Sequence, residues 1–204
     1  MKKTIVTGIG TGVGKTVTSA ILVNCLEGDY WKPVETGEMD LDTETVKRWL
    51  PHNRIHPSAY SLKAPLSPHH AAKLENIWID PKKIAPPSTS SPLVIETAGG
   101  PLAPLNDQVT SIDLFSKWEA EWIVVANCYL GSINHTLGTI EVLKMRQCKI
   151  RGLIFNGDFL KESEEAILSF SKIPLLARIE KFPHITSETL KTVGQEWKAK
   201  LSLN

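Results

Sequence analysis

Between positions 8 and 16 the chain reads Gly8-Ile9-Gly10-Thr11-Gly12-Val13-Gly14-Lys15-Thr16. Closely spaced glycines, one ammonium and one hydroxyl suit one chemistry above others, the holding of a polyphosphate. Glycines let successive backbone N–H groups converge on phosphate oxygens, and a helix starting here adds the positive end of its dipole. Lys15 reaches the β and γ phosphates, and Thr16 can ligate Mg²⁺. The strict motif has four residues between its two glycines, which would need a glycine at Ile9. Gly8 stands one place early, so this loop is a five-residue variant. A second element fits the first. Leu93-Val94-Ile95-Glu96 is an apolar run ending in a carboxylate, where such a site holds its Mg²⁺. The small residues that follow, Thr97-Ala98-Gly99-Gly100, keep space open beside a γ-phosphate. Together they predict a nucleoside triphosphate site.

The loop works only between a strand and a helix, and the flanking pattern supplies both. Residues 4–7 read as a strand, and residues 15–26 as a helix stopped by Gly28. Residues 30–34 read as a second strand and 42–50 as a short helix ahead of Pro51. Residues 51–92 are less regular and end in an exposed Pro/Ser-rich connector at 86–92. Further apolar strands are expected at 93–95, 122–126, 150–155 and 175–179, with helices at 133–145, 162–170 and 187–201. Uniformly apolar strands alternating with helices predict an α/β fold: a P-loop NTPase-like parallel sheet covered by helices on both faces. Residues 1–204 are expected to form a single domain, with the site at the carboxyl ends of the strands.

Composition narrows the function. Lys and Arg number 23 against 22 Asp and Glu, a net charge of +1, without the basic excess expected of a nucleic-acid binder. The longest apolar stretch, residues 122–130, is far short of a membrane span and contains Asn127. Cys25, Cys128 and Cys148 lack metal-ligand spacing and are expected as buried, reduced thiols in a cytoplasmic protein. No nucleic-acid or membrane partner is expected.

Two switch-protein readings fit poorly. A GTPase reads its base with Asn-Lys-x-Asp, and Asn156-Gly157-Asp158 lacks the Lys and the spacing. A partition-type ATPase carries an extra loop Lys where this chain has Gly10. A metabolic enzyme remains. The chain resembles the dethiobiotin synthetases, ATP-dependent ligases that close the ureido ring in biotin biosynthesis. The resemblance rests on the loop from Thr7 to Thr16 and on Trp31-Lys32-Pro33-Val34-Glu35-Thr36-Gly37. It extends to Ser67-Pro68-His69, Glu96-Thr97-Ala98-Gly99-Gly100, Leu130-Gly131-Ser132-Ile133-Asn134-His135 and Asn156. These appear in the family's order and span most of the chain.

The resemblance implies a reaction and its residues. 7,8-Diaminononanoate takes up CO₂ as a carbamate, the carbamate attacks the γ-phosphate of ATP, and the neighbouring amine closes on the carbamoyl phosphate. Bringing two anions together is chiefly electrostatic positioning. Lys15, Lys32 and Thr11 would serve the reacting groups, with Lys32 facing the carbamate. Thr36 would contact the diamine, and Gly131, Ser132, Ile133 and Asn134 its distal carboxylate, contributed across a homodimer with shared sites. The nucleotide would meet Gly12, Val13, Gly14, Lys15, Thr16 and Val17, then Glu96, Thr97, Ala98 and Gly99, with Asn156 and Gly157 at the adenine. Mg²⁺ would be held by Thr16, Asp42 and Glu96, with Asp40 and Glu44 as competitors for the second place.

Several positions depart from the family pattern. Gly10 and Gly12 stand where many members carry acids. Thr97 replaces a usual Gly and is expected to add bulk near the phosphates. Arg178-Ile179-Glu180 replaces Gly-Glu-Ile-Pro near the adenine. His69 and His135 belong to family motifs and suit packing or hydrogen bonding, whereas His52, His56, His70 and His184 are expected on the surface. The six tryptophans are expected in the core or at subunit contacts.

Overall fold

The computed structural model describes residues 2–39, 41–158 and 160–201. Seven parallel strands form the main sheet. They are β1 (Lys3–Gly8), β2 (Asp29–Trp31), β4 (Ile55–His56), β6 (Leu93–Glu96), β7 (Glu121–Ala126), β8 (Lys149–Asn156) and β9 (Leu175–Ile179), in the order β4-β2-β6-β1-β7-β8-β9. Alternation along the strands sends neighbours to opposite faces. Ile5, Ile95 and Val124 pack with Ile140, Leu143 and Ile167, from helices α5 (Ser132–Met145) and α6 (Lys161–Ser171). Val6, Val94 and Ile123 pack on the other face. There they meet Ala20 and Ile21 of α1 (Lys15–Leu26), Val46 of α2 (Asp42–Trp49) and Leu190 of α7 (Ser187–Leu201). This is the expected P-loop α/β sheet with helices on both faces.

α1 is buried on nearly every side, including Ser19 and Thr18, because α7 covers the flank that the sheet leaves free. Gly194 permits that contact, since a Cβ there would lie 2.9 Å from Asn24 Cβ. The helix ends differently from the expectation placed on Gly28. The left-handed residue is Glu27, at φ 51°, and Gly28 N–H bonds back to the Val23 carbonyl at 3.0 Å. Gly28 is required for another reason: a Cβ would meet the Pro92 carbonyl oxygen at 2.5 Å.

The single strand expected at 30–34 is two strands. Pro33 has no N–H to continue a ladder. The chain leaves the main sheet there and β3 (Val34–Thr36) pairs in parallel with β5 (Tyr60–Leu62). The irregular stretch also contains α3 (Pro68–Leu74), and a short α4 (Ser111–Phe115) follows β6. His56, expected on the surface, is buried, with Nε2 2.8 Å from Asp29 Oδ2 on the adjacent strand. Of the three thiols, all free, only Cys25 is fully buried; Cys128 and Cys148 are partly exposed. Among the described residues no helix is long and apolar enough to cross a membrane.

Candidate active site

β1 lies at the centre of the sheet, flanked by β6 and β7, so the loop after Gly8 opens at the switch point of the strand order. Gly12 and Gly14 hold φ of 72° and 96°, a region that side chains disfavour. A Cβ at Gly14 would also lie 2.2 Å from Asn156 Nδ2. Gly8 is set by contact, because a Cβ would meet Val13 Cγ2 at 2.6 Å. Gly10 faces open space, so packing does not demand a glycine there.

Lys15 is buried, and its Nζ donates to the Gly10 carbonyl at 2.9 Å. Burial pushes its pKa down; Glu96 and Asp42 offset this in part, while Lys32 adds to it. Lys32 follows β2 and is 5% exposed. Its ammonium donates to Asp42 Oδ2 and, at 3.2 Å, to Glu96 Oε1. Burial alone would lower its pKa, but Glu96, Asp42 and Glu35 outweigh that and raise it. Burial likewise pushes the Asp42 carboxyl up, and Lys32, with help from Thr16, brings it below its ordinary value. Thr16 Oγ1 lies within hydrogen-bond distance of both Asp42 Oδ1 and Glu96 Oε1.

Asp42 owes its place to the start of α2. The cap residue, Leu41, has no side-chain acceptor to offer. Buried Glu35, reaching over from β3, accepts from Thr43 N–H at 2.8 Å and supplies what the cap lacks. Glu44, a competitor for the metal role, points to Lys47 with its side chain 59% exposed. Asp40 lies outside the described residues.

Thr16, Asp42 and Glu96 therefore bring hard oxygens to one spot where a cation, the Lys32 ammonium, already sits. That donor set fits Mg²⁺, which takes few protein oxygens and completes its shell with phosphate and water. Among the described residues no group of three or more His, Cys, Asp or Glu side chains could hold a metal ion. A cation here would need Thr16 and further oxygens from water or a bound ligand.

A cleft of about 760 Å³ opens over this cluster. It is lined by the expected Thr11, Gly12, Gly14, Lys15, Thr16, Lys32, Thr36, Asp42, Glu96, Ala98 and Gly99. Val13 and Val17 do not line it; their side chains pack in the core beneath the loop. Thr97 does not crowd it either. It is fully buried, and its hydroxyl lies 3.1 Å from Thr7 Oγ1 and 3.0 Å from the Gly99 carbonyl, tying β6 to β1. Asn156 and Gly157 sit beyond the loop's far side, where Asn156 Nδ2 donates to the Val13 carbonyl at 3.1 Å.

Gly131, Ser132, Ile133 and Asn134 also lie outside the cleft's walls. Gly131 caps α5 at φ 100°, Ser132 is buried and Asn134 is exposed. Sequence reasoning missed what α5 does contribute, Gly138, Thr139 and Val142. Positions 134, 138 and 142 are four apart, so one helix face carries Asn134 and leads into the cleft. Also missed was an apolar rim of Pro65, Leu66 and Leu102. Its only signal was exposed leucine in proline-rich turns.

Comparison with known proteins bears on this site. The family model described as an AAA domain matches residues 2–189. The chain is 39% identical over 198 residues to an ATP-dependent dethiobiotin synthetase of Chlamydia pneumoniae, covering 97% of this chain and 90% of that one. It is 46% identical over 189 residues to the enzyme of that name from Rhizorhabdus wittichii, covering 91% and 90%. Among solved structures, a ParA family ATPase from Chlorobium tepidum superposes with a TM-score of 0.63 at 13% identity, covering 98% of each chain. That last likeness is one of fold.

Proposed function

The chain belongs to the ATP-dependent dethiobiotin synthetase family, and from that premise we propose how its cleft forms dethiobiotin from 7,8-diaminononanoate, CO₂ and ATP. One domain, residues 1–204, carries the reaction. The observation that supports this reading is the meeting of two buried lysines, Lys15 and Lys32, with two carboxylates and a hydroxyl in one cleft. A switch ATPase has no evident use for the second lysine, whereas a carbamate needs a fixed positive partner.

CO₂ adds to one amine of the substrate and forms a carbamate, with loss of a proton. The Lys32 ammonium holds that anion, turning from Asp42 and Glu96 to the incoming carboxylate. Lys15 leaves the Gly10 carbonyl for the β and γ phosphates, where its positive charge is better matched. The carbamate oxygen then attacks the γ-phosphorus and ADP departs. Finally the second amine attacks the carbamoyl phosphate carbon, and the ring closes with release of phosphate and a proton. Thr11, exposed on the loop, donates to the transferred phosphoryl group. Thr36 contacts the diamine. Thr16, Asp42 and Glu96 would hold Mg²⁺, which would offset the charge of the polyphosphate. The nucleotide-binding set includes the backbone of Gly12, Val13, Gly14 and Val17, with Ala98 and Gly99 beside the γ-phosphate and Asn156 and Gly157 at the adenine. The distal carboxylate is bound by residues 131–134 of a second subunit.

Labelled bicarbonate tests the reading. Incubation with diamine and ATP should give an acid-stable product carrying one labelled carbon. Label that stays acid-labile, as in a simple carbamate, would contradict ring closure.

A further inference from the structure

Tyr30 has no part in the reaction as proposed, yet it touches the site. In the ladder between β2 and β6, Tyr30 lies opposite Val94. Glu96, two residues on, projects from the same face, within diagonal reach of a large ring. Tyr30 is 0% exposed, and so is Glu96. The phenol donates to Glu96 Oε2 at 3.0 Å. Glu96 Oε1 is the other oxygen, and it alone meets Thr16 Oγ1 and Lys32 Nζ, each at 3.2 Å.

The two oxygens of Glu96 are thereby given different duties. We infer that Tyr30 is a positioning residue that occupies Glu96 Oε2 and so presents Oε1 as a single oxygen toward a divalent cation at Thr16 and Asp42. Burial, reinforced by the negative charges of Glu96, Asp42 and Glu35, pushes the Tyr30 phenol well above its ordinary value. A phenol is protonated, and so a donor, at neutral pH even with its ordinary value. Without it, a carboxylate oxygen in the core would lose its donor. The group would be free to rotate and offer both oxygens to the cation, or to turn the second toward Lys32 as well.

This inference rests on the metal reading above, and the test separates the two. Mn²⁺ serves as probe, titrated with a non-hydrolysable ATP analogue and followed by the electron paramagnetic resonance of the ternary complex. Tyr30→Phe removes one oxygen from the core and keeps the ring in place, and its melting curve, recorded beside the titration, confirms that it is folded. Loss of a hydrogen bond that orients a ligand typically weakens metal binding about 10- to 100-fold. That loss is expected here, with the KM for the diamine unchanged and kcat recovering at high Mg²⁺. A merely structural Tyr30 would lower the melting temperature and leave the Mn²⁺ affinity within twofold of wild type, which would overturn the inference. Glu96→Gln is the control. If it too keeps wild-type Mn²⁺ affinity, the metal assignment falls together with the role of Tyr30. If Glu96→Gln loses the ion and Tyr30→Phe keeps it, only the role of Tyr30 falls.

Discussion

Replacing Lys32 with alanine tests electrostatics and chemistry together. Lys32 lies 3.2 Å from Glu96 Oε1, and at an effective dielectric near 20 that attraction is about 5 kcal/mol before desolvation is counted. Desolvation removes much of it, so the intact arrangement adds little net stability. Removing one partner is another matter. Lys32→Ala leaves Glu96 fully buried and faces it with the Asp42 carboxylate, both within reach of Thr16. Breaking a buried pair in this way costs about 3–5 kcal/mol, a fall in melting temperature of roughly 6–20 °C for a chain this long. The same change vacates a cation position between two carboxylates. Mg²⁺ without nucleotide should therefore stabilise Lys32→Ala more than wild type. Loss of a charge contact to the reacting anion should lower kcat about 10²- to 10³-fold. The signs of the pH dependence follow from the shifts. The Lys32 contribution is complete below its ordinary value of 10.5 and is lost as pH rises through its raised folded value. That of Asp42 is complete above 3.8 and is lost as pH falls through its lowered folded value. Thermal melts with and without Mg²⁺, beside steady-state assays, read all of this. Unchanged melting, kcat and diamine affinity would refute the placement of Lys32.

Asp42→Asn should raise the Mg²⁺ requirement at least about tenfold while leaving diamine affinity alone; an unchanged metal response would move that ligand role elsewhere. Glu35→Ala removes the acceptor for Thr43 N–H and should cost about 1 kcal/mol. Because it also loosens Asp42, it should lower kcat. Thr186→Ala removes the acceptor for Thr189 N–H at the start of α7, outside the cleft's lining, at a similar cost, and should leave kcat unchanged. Equal kcat in those two variants would refute the claim for Glu35. Mixing Lys15→Ala with Asn134→Glu subunits should restore about a quarter of wild-type activity if a symmetric dimer shares its sites. Asn134 is exposed and suits this design, whereas buried Ser132 does not. No recovery, with subunit exchange confirmed separately, would mean that the tail carboxylate binds within one chain.

Features whose partners are near in sequence were the legible ones. The loop from Gly8 to Thr16 announces strand, turn and helix in nine consecutive residues, and α1, β9 and α7 begin and end where periodicity places them. What escaped depends on partners far along the chain. His56 reads as one more polar residue until Asp29, on the neighbouring strand, is seen beside it. Gly28 reads as a helix stop, although its need arises from Pro92. Thr97 looks like bulk beside a phosphate until Thr7 is found to hold its hydroxyl inside the sheet. Tyr30 and Glu35 look like ordinary strand residues, and only Glu96 and Thr43 reveal what they orient. The two-strand path around Pro33 was readable, since proline cannot extend a central ladder.

The most direct measurement is ADP release with 7,8-diaminononanoate and bicarbonate, each omitted in turn. The account predicts turnover only when both are present, with one ADP for each dethiobiotin formed. Comparable ATP hydrolysis without the diamine would contradict it and favour a nucleotide-switched ATPase.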